Sequence, residues 1–210
     1  MNKNNRKTLS KKKKIVIISS IVMLAAIAVF LIFFLRGRDS LLTAVPAVTI
    51  ETPDRKSASD REPFSLELQL SALGDEVYPA ASFSISFDSS KLEFLGIEEG
   101  NVMITDAQSA FGYQLPEWSV NIERSNEVGQ INLMYLDMTG GKYAFTKDAL
   151  EENGNILLHL MFRLRGSAKS GDIYELSFDD AVFAASDEES SLASAKDALK
   201  TNNGRIVIGG

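Results

Sequence analysis

Residues 83–87 read Phe-Ser-Ile-Ser-Phe, a strict alternation of large apolar and small polar side chains that ends at Asp88. Successive side chains of an extended chain point to opposite faces, so Phe83, Ile85 and Phe87 share one face while Ser82, Ser84 and Ser86 share the other. The aromatic face has to be covered and the serine face tolerates water, as in an antiparallel sheet with one buried side. The same period recurs outward from this stretch. Strands are expected at 48–51, 64–71, 81–87, 92–97, 118–122, 130–137, 156–165, 173–183 and 205–208. Turn residues separate them, among them Gly140-Gly141, Asn153-Gly154, Ser170-Gly171 and Asn203-Gly204. The fold class read from this pattern is all-β, a nine-stranded sandwich. Trp118, Val120 and Ile122 alternate as core residues do. Only 188–199, with Leu192, Ala195 and Leu199 at helical spacing, predicts a helix, and Asp187, Glu188 and Glu189 would cap its start.

The chain before residue 47 follows other rules. Residues 15–35 read IVIISSIVMLAAIAVFLIFFL, apolar except for Ser19 and Ser20, and at ~1.5 Å per residue this stretch is long enough to cross about 30 Å of hydrocarbon. A basic tail, residues 1–14, precedes it, with lysines at 11–14; a short stalk, residues 36–46, follows. Seven positive charges on the N-terminal side against Arg36 and Arg38 on the other predict a cytoplasmic N-terminus and an exported C-terminal domain, residues 47–210. The expected location is a bacterial cell membrane, spanned once. A cleaved signal peptide is the rival reading, but its cleavage motif, Val45-Pro46-Ala47, falls about a dozen residues too far along.

Charge and composition exclude several functions. All acidic residues lie at or beyond Asp39, leaving 13 basic against 28 acidic residues there, a net of −15 that would repel a phosphate backbone; nucleic acid is not an expected partner. The absence of cysteine excludes disulfides, Cys-bearing zinc sites and a lipid-modified N-terminal Cys. His159, the one histidine, alternates with Leu158 and Leu160, which suits a structural or surface role better than a catalytic triad. Glu98-Glu99, Glu151-Glu152 and Asp179-Asp180 are adjacent carboxylates, and neighbours on a strand diverge, so they read as solvated charges rather than acid/base pairs. No catalytic residue, metal ligand or cofactor is expected. Trp118 on a sandwich also admits a carbohydrate-binding or envelope-sensing ectodomain, although a sugar platform needs several exposed aromatics.

Several stretches, in order, resemble the cohesin domains of cellulosomal scaffolds. They are 83–88 (FSISFD), 91–95 (KLEFL), 98–100 (EEG), 143–148 (YAFTKD), Phe183-Ala184 with Asp187, and 201–208 (TNNGRIVI). The resemblance covers residues 47–208 and implies a jelly-roll sandwich without catalytic residues that binds dockerin modules, here as a membrane-anchored surface receptor for cellulosome-type enzymes or scaffold proteins. Any calcium would come with the dockerin. Carried over by position, the dockerin-facing strands lie near 79–87, 118–122, 130–137 and 173–178. Their outward residues are Ala80, Ser82, Ser84, Ser119, Asn121, Asn132, Met134, Leu136, Glu175 and Ser177. Many cohesins carry an Asn and an Asp where this chain has Ala80 and Ser82. Met134 and Leu136 are apolar where a solvated sheet would be polar, which suits a helix docking on a flat face. Coverage by a loop or by the 188–199 helix is the alternative.

Overall fold

The computed structural model describes residues 45–53, 55–102, 118–166 and 168–209. The basic tail, the apolar stretch 15–35 and nearly all of the stalk lie outside the described residues. Among the described residues no helix is long and apolar enough to cross a membrane.

Ala44–Gly210 forms one compact unit. Its strands are β1 (Ala47–Ile50), β2 (Lys56–Ser57), β3 (Phe64–Leu70), β4 (Ala80–Phe87), β5 (Leu92–Glu99), β6 (Trp118–Ser119), β7 (Gln130–Leu136), β8 (Ile156–Leu164), β9 (Ile173–Ala184), β10 (Leu192–Ala193), β11 (Lys200–Asn202) and β12 (Gly204–Gly209). One sheet has the order β11-β1-β3-β8-β5 and the other β2-β12-β9-β4-β7-β6, with β10 beside β9. Among the described strands only β1–β11 and β2–β12 run parallel.

Among the described residues, twelve strands therefore replace the nine expected. All nine are present, and the additions are β2, β10 and β11, each of two or three residues and too short for a period-2 pattern to register. Two further expectations are corrected. The strand predicted at 118–122 stops at Ser119, and Ile122 instead opens helix α1 (Ile122–Val128), capped by the Asn121 side chain accepting from the Arg124 N–H. The helix predicted at 188–199 does not form. Leu192 and Ala193 pair with Phe183 and Val182, and only a 3-10 turn, Ser194–Lys196, follows. Ala193 and Leu199 are buried, so sheet pairing and core contact outweigh the helical spacing. Asp187 accordingly closes a turn, accepting from the Ser190 N–H, rather than capping a helix. An unexpected helix, α2 (Lys147–Asn153), starts at Thr146, whose hydroxyl accepts from the Ala149 N–H.

The inward residues of β4 (Ala81, Phe83, Ile85, Phe87) meet Leu66, Leu68, Leu160 and Phe162 of the opposite sheet in one continuous core. Phe83 stacks on Trp118 at 6.1 Å and meets Phe183 edge-on at 5.5 Å, while Tyr135 and Phe145 approach at 4.6 Å. Such pairs add roughly 0.5–1.5 kcal/mol each beyond the area they bury. Helix α1 ties the sheets together at one margin: Asn126 accepts from the Phe94 N–H (2.9 Å) and donates to the Phe94 carbonyl (2.7 Å). These bonds satisfy backbone groups on β5, an edge strand that would otherwise offer them to another chain.

Candidate functional site

The sheet that contains β4 puts the four strands expected to face a partner side by side, in the order β9-β4-β7-β6. Registers between them arrange the outer side chains in cross-strand rows. The first row is Ala184, Ala80 and Leu136; the second is Val182, Ser82, Met134 and Ser119. The third is Asp180, Ser84 and Asn132, and the fourth is Ser177, Ser86 and Gln130. Eight of the ten residues that the resemblance implies fall in these rows. The other two are at the margins: Glu175 lies below them, opposite Arg205 of β12, and Asn121 lies beside them as the cap of α1 rather than on a strand.

Met134 is 61% and Leu136 50% exposed, so no described loop covers them, and the segment expected to do so as a helix packs elsewhere. Met138, just beyond β7, is exposed as well. Because serines are short, the second and third rows enclose a shallow open depression of about 380 Å³, lined by Ser82, Ser84 and Ser119 and by the longer Asn121, Asn132, Met134 and Asp180.

Two acidic residues join this face that the sequence pattern did not place there. The β4–β9 register shifts between Ser84 and Ile85, so that Asp180 opposes Ser84 while Phe178 opposes Ile85, and Asp179 is the extra residue of a β-bulge. Adjacent carboxylates that alternation would send to opposite faces are therefore both exposed. Asp179 accepts from the Ser86 hydroxyl and from Gln130 Nε2 (2.9 Å), both on the outer face. Those two hydrogen bonds outweigh desolvation and hold its carboxyl below the usual carboxylate range. Asp180 accepts from the Ser194 hydroxyl at 3.0 Å. A bulge leaves no trace in hydrophobic periodicity, so alternation along the strand could not bring both carboxylates to one face.

The remaining candidates resolve into structural roles. Trp118, 6% exposed, lies in the aromatic core and offers no platform for a sugar ring. His159 sits on the outer face of the other sheet, in register with Glu67 and Glu98. Gly140 and Gly141 belong to a turn organised by Asp137, which accepts from the Thr139 and Gly141 N–H groups. Among the described residues no group of His, Cys, Asp or Glu is arranged to hold a metal ion.

The family model described as Cohesin domain matches residues 47–207. No curated protein matches the chain at a significant level. Among solved structures, the chain is similar to the third cohesin of ScaC from Acetivibrio cellulolyticus, solved in complex with a ScaB dockerin mutated in its C-terminal helix, at 16% identity over 79% of this chain and 99% of that one, with a TM-score of 0.59. It is similar to the sixth cohesin of scaffoldin B of that organism, in complex with a mutant dockerin, at 17% identity, 79% and 99% coverage, and a TM-score of 0.58. A non-cellulosomal cohesin from the archaeon Archaeoglobus fulgidus matches at 14% identity over 80% of this chain and 93% of that one, with a TM-score of 0.50. At these identities the structural likeness speaks to the fold alone; with the family match across nearly all of the β domain, the chain belongs to the cohesin domain family.

Proposed function

We propose that the chain is a non-catalytic receptor whose cohesin domain binds dockerin modules through the outer face of β9-β4-β7-β6, tethering dockerin-bearing enzymes or scaffold proteins of a cellulosome-type system to the membrane. The observation that carries this reading is the family match over residues 47–207, which takes in the whole of that face. It is supported by the apolar side chains left uncovered there: exposed Met134 and Leu136 beside small Ala80 and Ser82 give a flat, partly apolar surface suited to a docking helix. Two cohesins with similar folds were solved in complex with dockerins.

On this reading residues 15–35 are the anchor, residues 1–14 the cytoplasmic tail and residues 36–46 a stalk that keeps the domain close to the bilayer outside the cell. Lysines at 11–14 add attraction to anionic lipid of about 1 kcal/mol each. No cofactor belongs to the chain, and calcium enters only with the dockerin.

The test is capture by the purified full chain, in detergent micelles, of dockerin-bearing proteins encoded in the same genome. Retention of at least one at micromolar concentration is the expected result. Retention of none overturns the reading. Alkaline extraction of native membranes tests the anchor: the chain is expected to stay in the pellet, and release into the supernatant excludes a spanning helix.

A further inference from the structure

The face is not uniform along its strands. Its first two rows are apolar or small: Ala184, Ala80 and Leu136, then Val182, Ser82, Met134 and Ser119. Its last two rows are polar and carry Asp179 and Asp180 beside Ser84, Asn132, Ser86 and Gln130. None of the ion pairs among the described residues includes either carboxylate. The depression lined by serines lies at the change of character, with Met134 on one side and Asp180 on the other. Leu136 and Asn132 are four residues apart on β7, about 13 Å at ~3.3 Å per residue, a length that about nine residues of a helix lying along the strands would cover.

We infer that this face accepts its partner helix in one direction only, with apolar side chains over Ala80, Met134 and Leu136 and one lysine or arginine seated in the serine-lined depression against Asp180. The helix is that of a dockerin, so the inference rests on the function proposed above. Reversal would lay apolar groups on the two carboxylates and put the cation on Met134 and Leu136. Stripping water from a charge left without its partner costs ~2 kcal/mol or more, at least about 30-fold in population, so the reversed complex is the minor one. The bulge at Asp179 sharpens that direction, since regular alternation would have turned one of the two carboxylates inward.

A chain without native cysteine allows a direct test. Spin labels are placed singly at Met138→Cys, beyond the apolar end, and at Arg205→Cys, beyond the polar end. The dockerin retained in the capture experiment carries one label at an end of its docking helix. Electron–electron distances in the complex with the full chain are expected to form one population from each site, short from one and long from the other. Two populations from each site overturn the single direction while leaving dockerin binding intact. Asp180→Lys is expected to weaken binding at least tenfold, and to recover when the apposed basic residue of the dockerin is changed to Glu; an unchanged affinity overturns the socket. If no dockerin is retained, the parent reading fails and this inference with it.

Discussion

Replacing Met134 with aspartate separates binding from folding. Its cross-strand neighbours on the outer face are Ser82 and Ser119, both short, so the thioether stands above them and 61% of the residue is exposed. Full burial of a Met side chain is worth ~1.5–3 kcal/mol, and covering the part still exposed contributes about 1–2 kcal/mol to a complex. A carboxylate at the same place would be desolvated without a partner, adding roughly 2 kcal/mol. The total, about 3–4 kcal/mol, corresponds to a loss of about 100- to 1,000-fold in affinity, whereas Met134→Ala should lose only about tenfold. Folding should hardly respond, because the side chain has little to lose in the free domain; strand propensity limits the cost to ~1 kcal/mol. Calorimetric titration with the captured dockerin, run beside thermal melts of both variants, measures the two effects separately. An affinity within threefold of wild type at an unchanged melting temperature would refute the reasoning and move the contact off β7.

Gly129 ends α1 at φ 72°, and a Cβ there would lie 2.8 Å from the Phe87 carbonyl oxygen, so Gly129→Ala should cost ~1–3 kcal/mol and lower the melting temperature by several degrees. Asn126→Ala leaves the Phe94 N–H and carbonyl on an edge strand without their partner, and urea unfolding should show a loss of about 1–3 kcal/mol. Asp172 is held below its usual range first by the Tyr174 hydroxyl and then by the Lys169 N–H. At Asp137 burial opposes the shift, but bonds from Thr139 and Gly141 prevail and lower it too. A lowered folded pKa stabilises fully above the unfolded value near ~4 and is lost as pH falls through the folded one, so melts should weaken below about pH 4, less steeply in Asp137→Asn. Tyr174, pushed up to about 12 by burial and the Asp172 bond, acts at the other end: its contribution holds below about pH 10 and declines as pH rises toward the folded value, which Tyr174→Phe should abolish in alkaline melts. Chelation should abolish dockerin capture while leaving the melting temperature of the free chain unchanged; a chelation-induced fall in that temperature would put the metal on this chain.

How much of this was legible in the sequence depends on whether the local period survived in three dimensions. Where strands are long and regular, as in β4, the alternation of Phe83, Ile85 and Phe87 with serines gave both the strand and its buried face. It failed where another constraint outweighed it. Asn121 caps a helix and so ends the strand that the alternation of Trp118 and Val120 predicts would continue. Leu192 and Leu199 have helical spacing, yet Leu192 is drawn into pairing with Phe183 and Leu199 into the core. The face itself was half visible: the resemblance implied which strands form it and alternation gives the outward residues of β4 and β7, but the two aspartates of β9 reach it through a bulge, which periodicity does not encode. Strands of two residues such as β2 and β10 exist only through their partners and had no local signal to read.

The central claim, that the outer face of β9-β4-β7-β6 is where a dockerin lands, is tested most directly by cysteine protection. Single cysteines at Ser84, Asn132 and Met134, and at Ser65 and Arg163 on the other sheet, are exposed to a maleimide with and without saturating dockerin. The account predicts that dockerin slows labelling at least tenfold at the first three positions and leaves the last two unchanged. Protection of Ser65→Cys and Arg163→Cys with free labelling at Asn132→Cys and Met134→Cys would contradict it.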